Sequence, residues 1–139
     1  EMKGDISYPA SLRHSERYPD DYAALERVSG KGVPVVSVLF SGRPVYANDL
    51  INMSDAFIAA WLPGTEGQGI TDILFRGANG RMAKDFQGRL PFDWPGASCP
   101  ETAKKPVLFA RGYGLKLAKK SNLGRLPEDG VETCPPLAE

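Results

Sequence analysis

The chain has 139 residues, 42% of them hydrophobic and 24% charged, which is enough apolar side chain for the core of one domain and too much for wholesale disorder. Seventeen basic residues balance seventeen acidic ones, so no net field draws the chain to nucleic acid or anionic lipid, and Lys119-Lys120 is too short a basic run to change that. Uncharged runs such as Ala56 to Thr65 fall far short of the roughly 20 apolar residues a membrane span needs, and the chain reads as soluble, with no signal peptide of its own.

Glu1-Met2-Lys3-Gly4-Asp5 crowds charges around a glycine and reads as a loop. Pro19 followed by Asp20-Asp21 predicts a helix start, with acidic groups near the positive end of the helix dipole. Tyr22, Leu25 and Val28 then form its buried stripe, and Gly30-Lys31-Gly32 ends it. Val33 to Phe40 is a continuous apolar run rich in β-branched residues, hence a strand, and Ser41-Gly42-Arg43-Pro44 turns the chain. Asn48 or Asp49 is placed to cap a brief helix leading to Met53.

The stretch that organises the rest follows. Ala56 to Leu62 carries seven apolar residues without a charge and predicts a second strand, buried on both faces. Pro63-Gly64 stops it. Glu66 to Phe75 predicts a short helix with Ile70, Ile73 and Leu74 on one face, and with Gly67 and Gly69 permitting close approach at its start. Helix, strand, short helix, strand, helix, with no period-two alternation in the strands, predicts an α/β fold of parallel strands covered by helices on both faces. Two strands are too few for such a sheet, so the remaining strands must come from elsewhere.

After Phe75, Gly77, Gly80, Gly88, Pro91, Pro95, Gly96 and Pro100 leave room only for short strands and turns. Val107-Leu108-Phe109, followed by Gly112-Tyr113-Gly114, predicts a short extended element returning to the main body. From Lys116 the chain is polar and rich in proline, like a linker or a tail wrapped over a surface.

Candidate chemistry is sparse. Cys99 and Cys134, with His14 as the only histidine, cannot assemble a four-ligand metal site, and no residue cluster points to a cofactor. The two cysteines pair in an oxidising compartment or remain free thiols; spacing alone leaves both open. His14 reads as a surface loop residue, and no catalytic triad can be assembled around it. Gly64-Thr65-Glu66-Gly67-Gln68-Gly69 lacks the Gly-Lys-Ser/Thr of a phosphate loop and the dinucleotide fingerprint, so its glycines read as close packing of loop and helix. Glu1 is an exposed acid that, by residue type alone, has many equals as a general acid or base.

Five motifs occur in order: Glu1-Met2-Lys3-Gly4-Asp5; Val36-Ser37-Val38-Leu39-Phe40-Ser41-Gly42-Arg43-Pro44-Val45; Ala59-Ala60-Trp61-Leu62-Pro63-Gly64-Thr65-Glu66-Gly67-Gln68-Gly69; Gly88-Arg89-Leu90-Pro91-Phe92-Asp93-Trp94-Pro95; and Gly112-Tyr113-Gly114-Leu115. Together they resemble the second domain of glycoside hydrolase family 3, in its β-glucosidase and exo-β-glucan glucohydrolase branch. The resemblance covers residues 1–115, read as the C-terminal part of an α/β sandwich domain, here incomplete, with a mainly parallel sheet and helices on both faces; residues 116–139 remain a linker or surface-wrapping tail. Gly124-Arg125-Leu126-Pro127-Glu128-Asp129 resembles the continuation found in bacterial members with a further C-terminal region.

The resemblance implies a retaining glycosidase that hydrolyses a β-linked glucan or glucoside without cofactor or metal. It places the aspartate nucleophile on a separate barrel domain, a partner not contained in these 139 residues. It implies that Glu1 is the acid/base and that Lys3, Gly4 and Asp5 shape the loop of the sugar pocket. It also implies a periplasmic or secreted location. The glycine and tryptophan motifs read mostly as core rather than as a sugar platform. The alternative is a non-catalytic glycan-binding or interaction module of the same fold, motivated by the absence of the nucleophile from the chain.

Overall fold

A computed structural model describes residues 11–82, 84–99, 106–119, 121–128 and 134. A single helical turn, α1 (His14–Arg17), runs into Tyr18, whose N–H donates to the His14 carbonyl. The residue before a proline is pushed out of helical geometry, so Pro19 both ends α1 and opens α2 (Pro19–Val28). Asp20 and Asp21 occupy the first turn of α2 as expected. Tyr22 and Leu25 pack against the core, but Val28 is 49% exposed in the last turn, beyond the reach of the core cluster. Gly30 and Gly32 follow with φ of 70° and 83°, a left-handed turn that glycine adopts without steric cost.

The two predicted strands form as β1 (Val36–Leu39) and β2 (Ala56–Ala59), paired in parallel with Val36 opposite Ala56 and Leu39 opposite Ala59. Asp55 stitches the start of the pair, its Oδ2 accepting the Val35 N–H at 2.7 Å. Between them lies α3 (Asn48–Asn52), so β1-α3-β2 is a parallel crossover unit. After β2 come a 3-10 turn at Gly64–Glu66 and α4 (Gln68–Leu74). The predicted order of helix, strand, short helix, strand and helix is therefore present, and the chain is an α/β fold. α1 was not expected, since a single uncapped turn carries no start signal comparable to Pro19 with Asp20-Asp21.

Two expectations fail in detail. The Ala56 to Leu62 run was expected to be buried on both faces, yet Ala56 is exposed and Phe57 to Ala59 are only half-buried. The cause is lack of cover: among the described residues each strand has one sheet neighbour, so apolar content chosen for a buried sheet meets an open groove. Neither Asn48 nor Asp49 holds the N-cap position of α3, which falls to Ala47; both side chains are buried, and Asp49 accepts the Leu50 N–H from within the first turn.

The core is built from Leu39, Val45, Ala47, Leu50 and Trp94, with Tyr22, Leu25, Phe57 and Phe109 around them. Trp94 belongs to a small antiparallel pair, β3 (Trp94–Pro95) with β4 (Val107–Phe109), the extended element expected near Gly112. Gly112 N–H donates to the Leu90 carbonyl and Leu90 N–H to the Tyr113 carbonyl, which ties that motif to residues 88–95. At Gly114 a Cβ would lie 2.2 Å from the Gly88 carbonyl oxygen, so only glycine fits there.

Residues 121–128 run over α3. Asn52 accepts the Leu126 N–H at 2.8 Å and returns a bond to the Leu126 carbonyl at 2.9 Å, while Asn48 donates to the Pro127 carbonyl at 2.8 Å. Cys99 and Cys134 form a disulfide spanning 35 residues, which settles the pairing the spacing left open.

Candidate functional site at the carboxyl ends of the parallel strands

In open α/β sheets the loops beyond the carboxyl ends of the strands are where ligands meet the protein, because the connections there are free to vary while the sheet holds them. Here β1 runs into Phe40-Ser41-Gly42-Arg43-Pro44 and β2 into Ala60-Trp61-Leu62-Pro63-Gly64. The first loop is closed locally: Ser41 Oγ donates to the Arg43 carbonyl at 2.6 Å and accepts the Arg43 N–H at 3.3 Å. The second is joined to the first by Ala60 N–H donating to the Leu39 carbonyl at 2.9 Å. A Cβ on Gly42 would come within 3.2 Å of Leu62 Cδ1, so the loops pack side by side.

Trp61 is the conformational outlier, with φ of 57° in a bulky residue. Its ring meets Phe92 edge-on at 5.4 Å between centroids and tilts against Trp94 at 6.0 Å. These aromatic contacts hold the strained backbone and link the β2 loop to residues 92–94. Trp94 is 3% exposed and serves as core, while Phe40 and Leu62 stand in solvent at the strand ends.

Beside this corner lies an open groove of about 850 Å³ whose walls include Phe57, Ile58, Ile73, Phe109, Leu115 and Leu123. A smaller cleft of about 380 Å³ lies between α2 and β1 and includes His14, Asp21, Ser37 and Phe40. His14 is not the surface loop residue expected: its side chain is 10% exposed, its ring tilts over Tyr18 at 4.8 Å, and Nε2 is 3.0 Å from Asp21 Oδ2. The burial follows from α1, whose turn folds the imidazole back toward α2. Ser15 Oγ donates to Asp49 instead, so this neighbouring hydroxyl is not aligned with the His14–Asp21 pair as a nucleophile.

Glu1, Lys3, Gly4 and Asp5, the expected acid/base and its loop, lie outside the described residues. The close-packing role expected for Gly67 and Gly69 is not met, since a Cβ at either would meet nothing within 4 Å. Gly64 matters instead through its φ of 57°, which makes the turn after Pro63. Among the described residues no group of three or more histidine, cysteine or acidic side chains is placed to hold a metal ion. Among them too, no helix is long and apolar enough to cross a membrane.

Sequence reading missed the polar row on and before α3. Tyr46, Asn48 and Asp49 are at most 4% exposed, and Asp49 gathers the Ser15 hydroxyl, the Leu50 N–H at 2.9 Å and Arg13 Nη1 at 3.5 Å. The signal was present: Asn48 and Asn52 are four residues apart and share one face of a helix too short to need a solvated side.

A parallel crossover unit, with its loops gathered at the strands' carboxyl ends and a polar row receiving the tail, defines an α/β domain. Residues 11–117 match the family model described as the glycosyl hydrolase family 3 C-terminal domain, and the chain belongs to that family. It is 34% identical over 100 residues to the lysosomal beta glucosidase of Dictyostelium discoideum, covering 70% of this chain and 11% of that protein. It is 32% identical over 92 residues to the periplasmic beta-glucosidase of Salmonella typhimurium, covering 65% of this chain and 11% of that protein. Among solved structures it is similar to the exo-1,3/1,4-beta-glucanase of a Pseudoalteromonas species, with a TM-score of 0.80 at 37% identity over 88% of this chain and 16% of that one. A mutant of the same glucanase gives a TM-score of 0.79, again at 37% identity and 88% of this chain, with 20% of that chain covered. The chain thus spans only a small part of the relatives it matches.

Proposed function

We propose that this chain is a portion of a retaining exo-acting β-glucosidase or β-glucan hydrolase, contributing the acid/base glutamate and part of the wall of the sugar pocket. The observation that carries the reading is the likeness over 88% of the chain, at 37% identity, to an exo-1,3/1,4-beta-glucanase. Sheet geometry supports it, since loops at the carboxyl ends of parallel strands are suited to meet a substrate held by another domain. On this reading the α/β unit is part of a layered sandwich whose further strands and helices cover the exposed faces of β1 and β2. The nucleophile sits on a barrel domain beyond these residues.

The chemistry uses two carboxyl groups in sequence. Protonated Glu1 gives its proton to the glycosidic oxygen as the bond to the anomeric carbon breaks, and the aspartate of the barrel domain attacks that carbon. The leaving alcohol departs neutral and a covalent glycosyl-enzyme remains. Glu1, now a carboxylate, takes a proton from water as the water oxygen displaces the aspartate, which restores both groups. Lys3, Gly4 and Asp5 shape the loop that presents Glu1.

The compartment is oxidising on this reading, periplasmic or secreted. The Cys99–Cys134 bridge supports it, as do the periplasmic and lysosomal names of the two β-glucosidase relatives. The test is Glu1→Gln in the intact enzyme. Turnover of glucosides with poor leaving groups is expected to fall by about 100-fold or more, and that of activated aryl glucosides much less in the glycosylation step. Equal loss on both classes would remove Glu1 from the role.

A further inference from the structure

The tail does more than follow the domain. Residues 123–125, with Lys116 and Leu117, line the 850 Å³ groove together with Phe57 and Ile73. We propose that residues 121–128 are a strap latched along the groove, with the side-chain amides of α3 as its keeper.

The latch is concentrated in three residues. Asn52 treats Leu126 as a neighbouring strand would, with Oδ1 accepting its N–H at 2.8 Å and Nδ2 donating to its carbonyl at 2.9 Å. The Pro127 carbonyl receives both Asn48 Nδ2, at 2.8 Å, and the Tyr46 hydroxyl, at 3.3 Å. Asn52 Nδ2 also reaches Glu128 Oε1 at 2.8 Å, and Arg125 holds the same oxygen at 2.9 Å. The Leu126 side chain is buried at 9% exposure, whereas residues 121–125 are exposed and have no regular secondary structure.

A segment attached at one end and bare before it opens locally rather than with the whole domain. Gly124 supplies the bend: its φ is 62°, nothing lies within 4 Å of where a Cβ would be, and its N–H donates to Asn122 Oδ1 at 3.0 Å. Beyond the latch, the Cys99–Cys134 bridge tethers the tail to the body, so an opened strap returns to its keeper. Release of the three latch residues would move Leu123 to Arg125 away from the groove wall and widen it, without any change in the β1–β2 pair.

The test is limited trypsin digestion of the intact protein with its disulfide formed, followed by mass spectrometry of the fragments. Asn52→Ala is expected to raise the rate of cleavage after Arg125 about tenfold while cleavage after Arg27, in α2, stays unchanged. Leu126→Ala changes the strap and leaves α3 intact, and it should give the same selective rise. An unchanged rate at Arg125, or an equal rise at Arg27, would overturn the proposal.

Discussion

Single positions in this chain divide sharply by what their atoms meet. Gly114→Ala would drive a methyl group into the Gly88 carbonyl oxygen at 2.2 Å, a backbone atom that cannot swing aside, so a loss of about 3 kcal/mol or more is expected in urea unfolding. Gly67→Ala carries no such conflict. With φ of −54° and open space where the Cβ would be, it should stabilise by about 0.5–1 kcal/mol, chiefly by restricting the unfolded chain. Asp49 is the most heavily used acid in the core region, and Asp49→Ala would leave Arg13, whose side chain is 14% exposed, without that counter-ion and Ser15 without its acceptor. A loss of about 3 kcal/mol is expected, with Asp49→Asn milder because it keeps an acceptor. The Ser15–Asp49 bond also explains why the only histidine does not become part of a triad: the nearby hydroxyl already serves the acid that anchors α3.

Elements here are short, and their persistence rests on ties between them. β1 and β2 are four residues each and α3 only five, lengths at which hydrogen bonding within an element cannot hold it alone. What holds β1-α3-β2 together is the packing of Leu39, Val45, Ala47 and Leu50 on Trp94, joined by side-chain stitches such as Asp55 to Val35 and Ser29 Oγ to the Met53 carbonyl at 2.8 Å. The tail adds a covalent tie. Replacing both Cys99 and Cys134 by serine opens a loop of 35 residues in the denatured chain, and loop-closure entropy puts the expected loss at about 3–4 kcal/mol, readable as a lower melting temperature under non-reducing conditions. A melting temperature unchanged by the double substitution would mean that the bridge adds nothing to the stability of the fold.

For the whole molecule the decisive feature is what stays uncovered. Val33 and Leu62 are each 70% exposed, Phe75 is 67% exposed, and a parallel pair made of apolar residues borders an open groove. These 139 residues by themselves are expected to self-associate as concentration rises, visible as a growing sedimentation coefficient, and to bind an apolar dye strongly. Much of this arrangement was legible in the residues. The apolar runs at Val33–Phe40 and Ala56–Leu62, the proline and acids opening α2, and the glycines closing it specify the element order, because periodicity and backbone sterics act locally. The four motifs between Val36 and Leu115, read in order, also carried the family. Other properties had to wait for the fold, since burial and partnership depend on which segments meet across the chain. The exposure of β2, the half-buried place of His14, the pairing of Cys99 with Cys134 and the capture of Leu126 by Asn52 join residues 7 to 74 positions apart, or depend on cover that no local pattern records. Local order is written in the covalent chain and its sterics; which faces are covered, and by what, is decided only when distant segments compete for the same apolar surface.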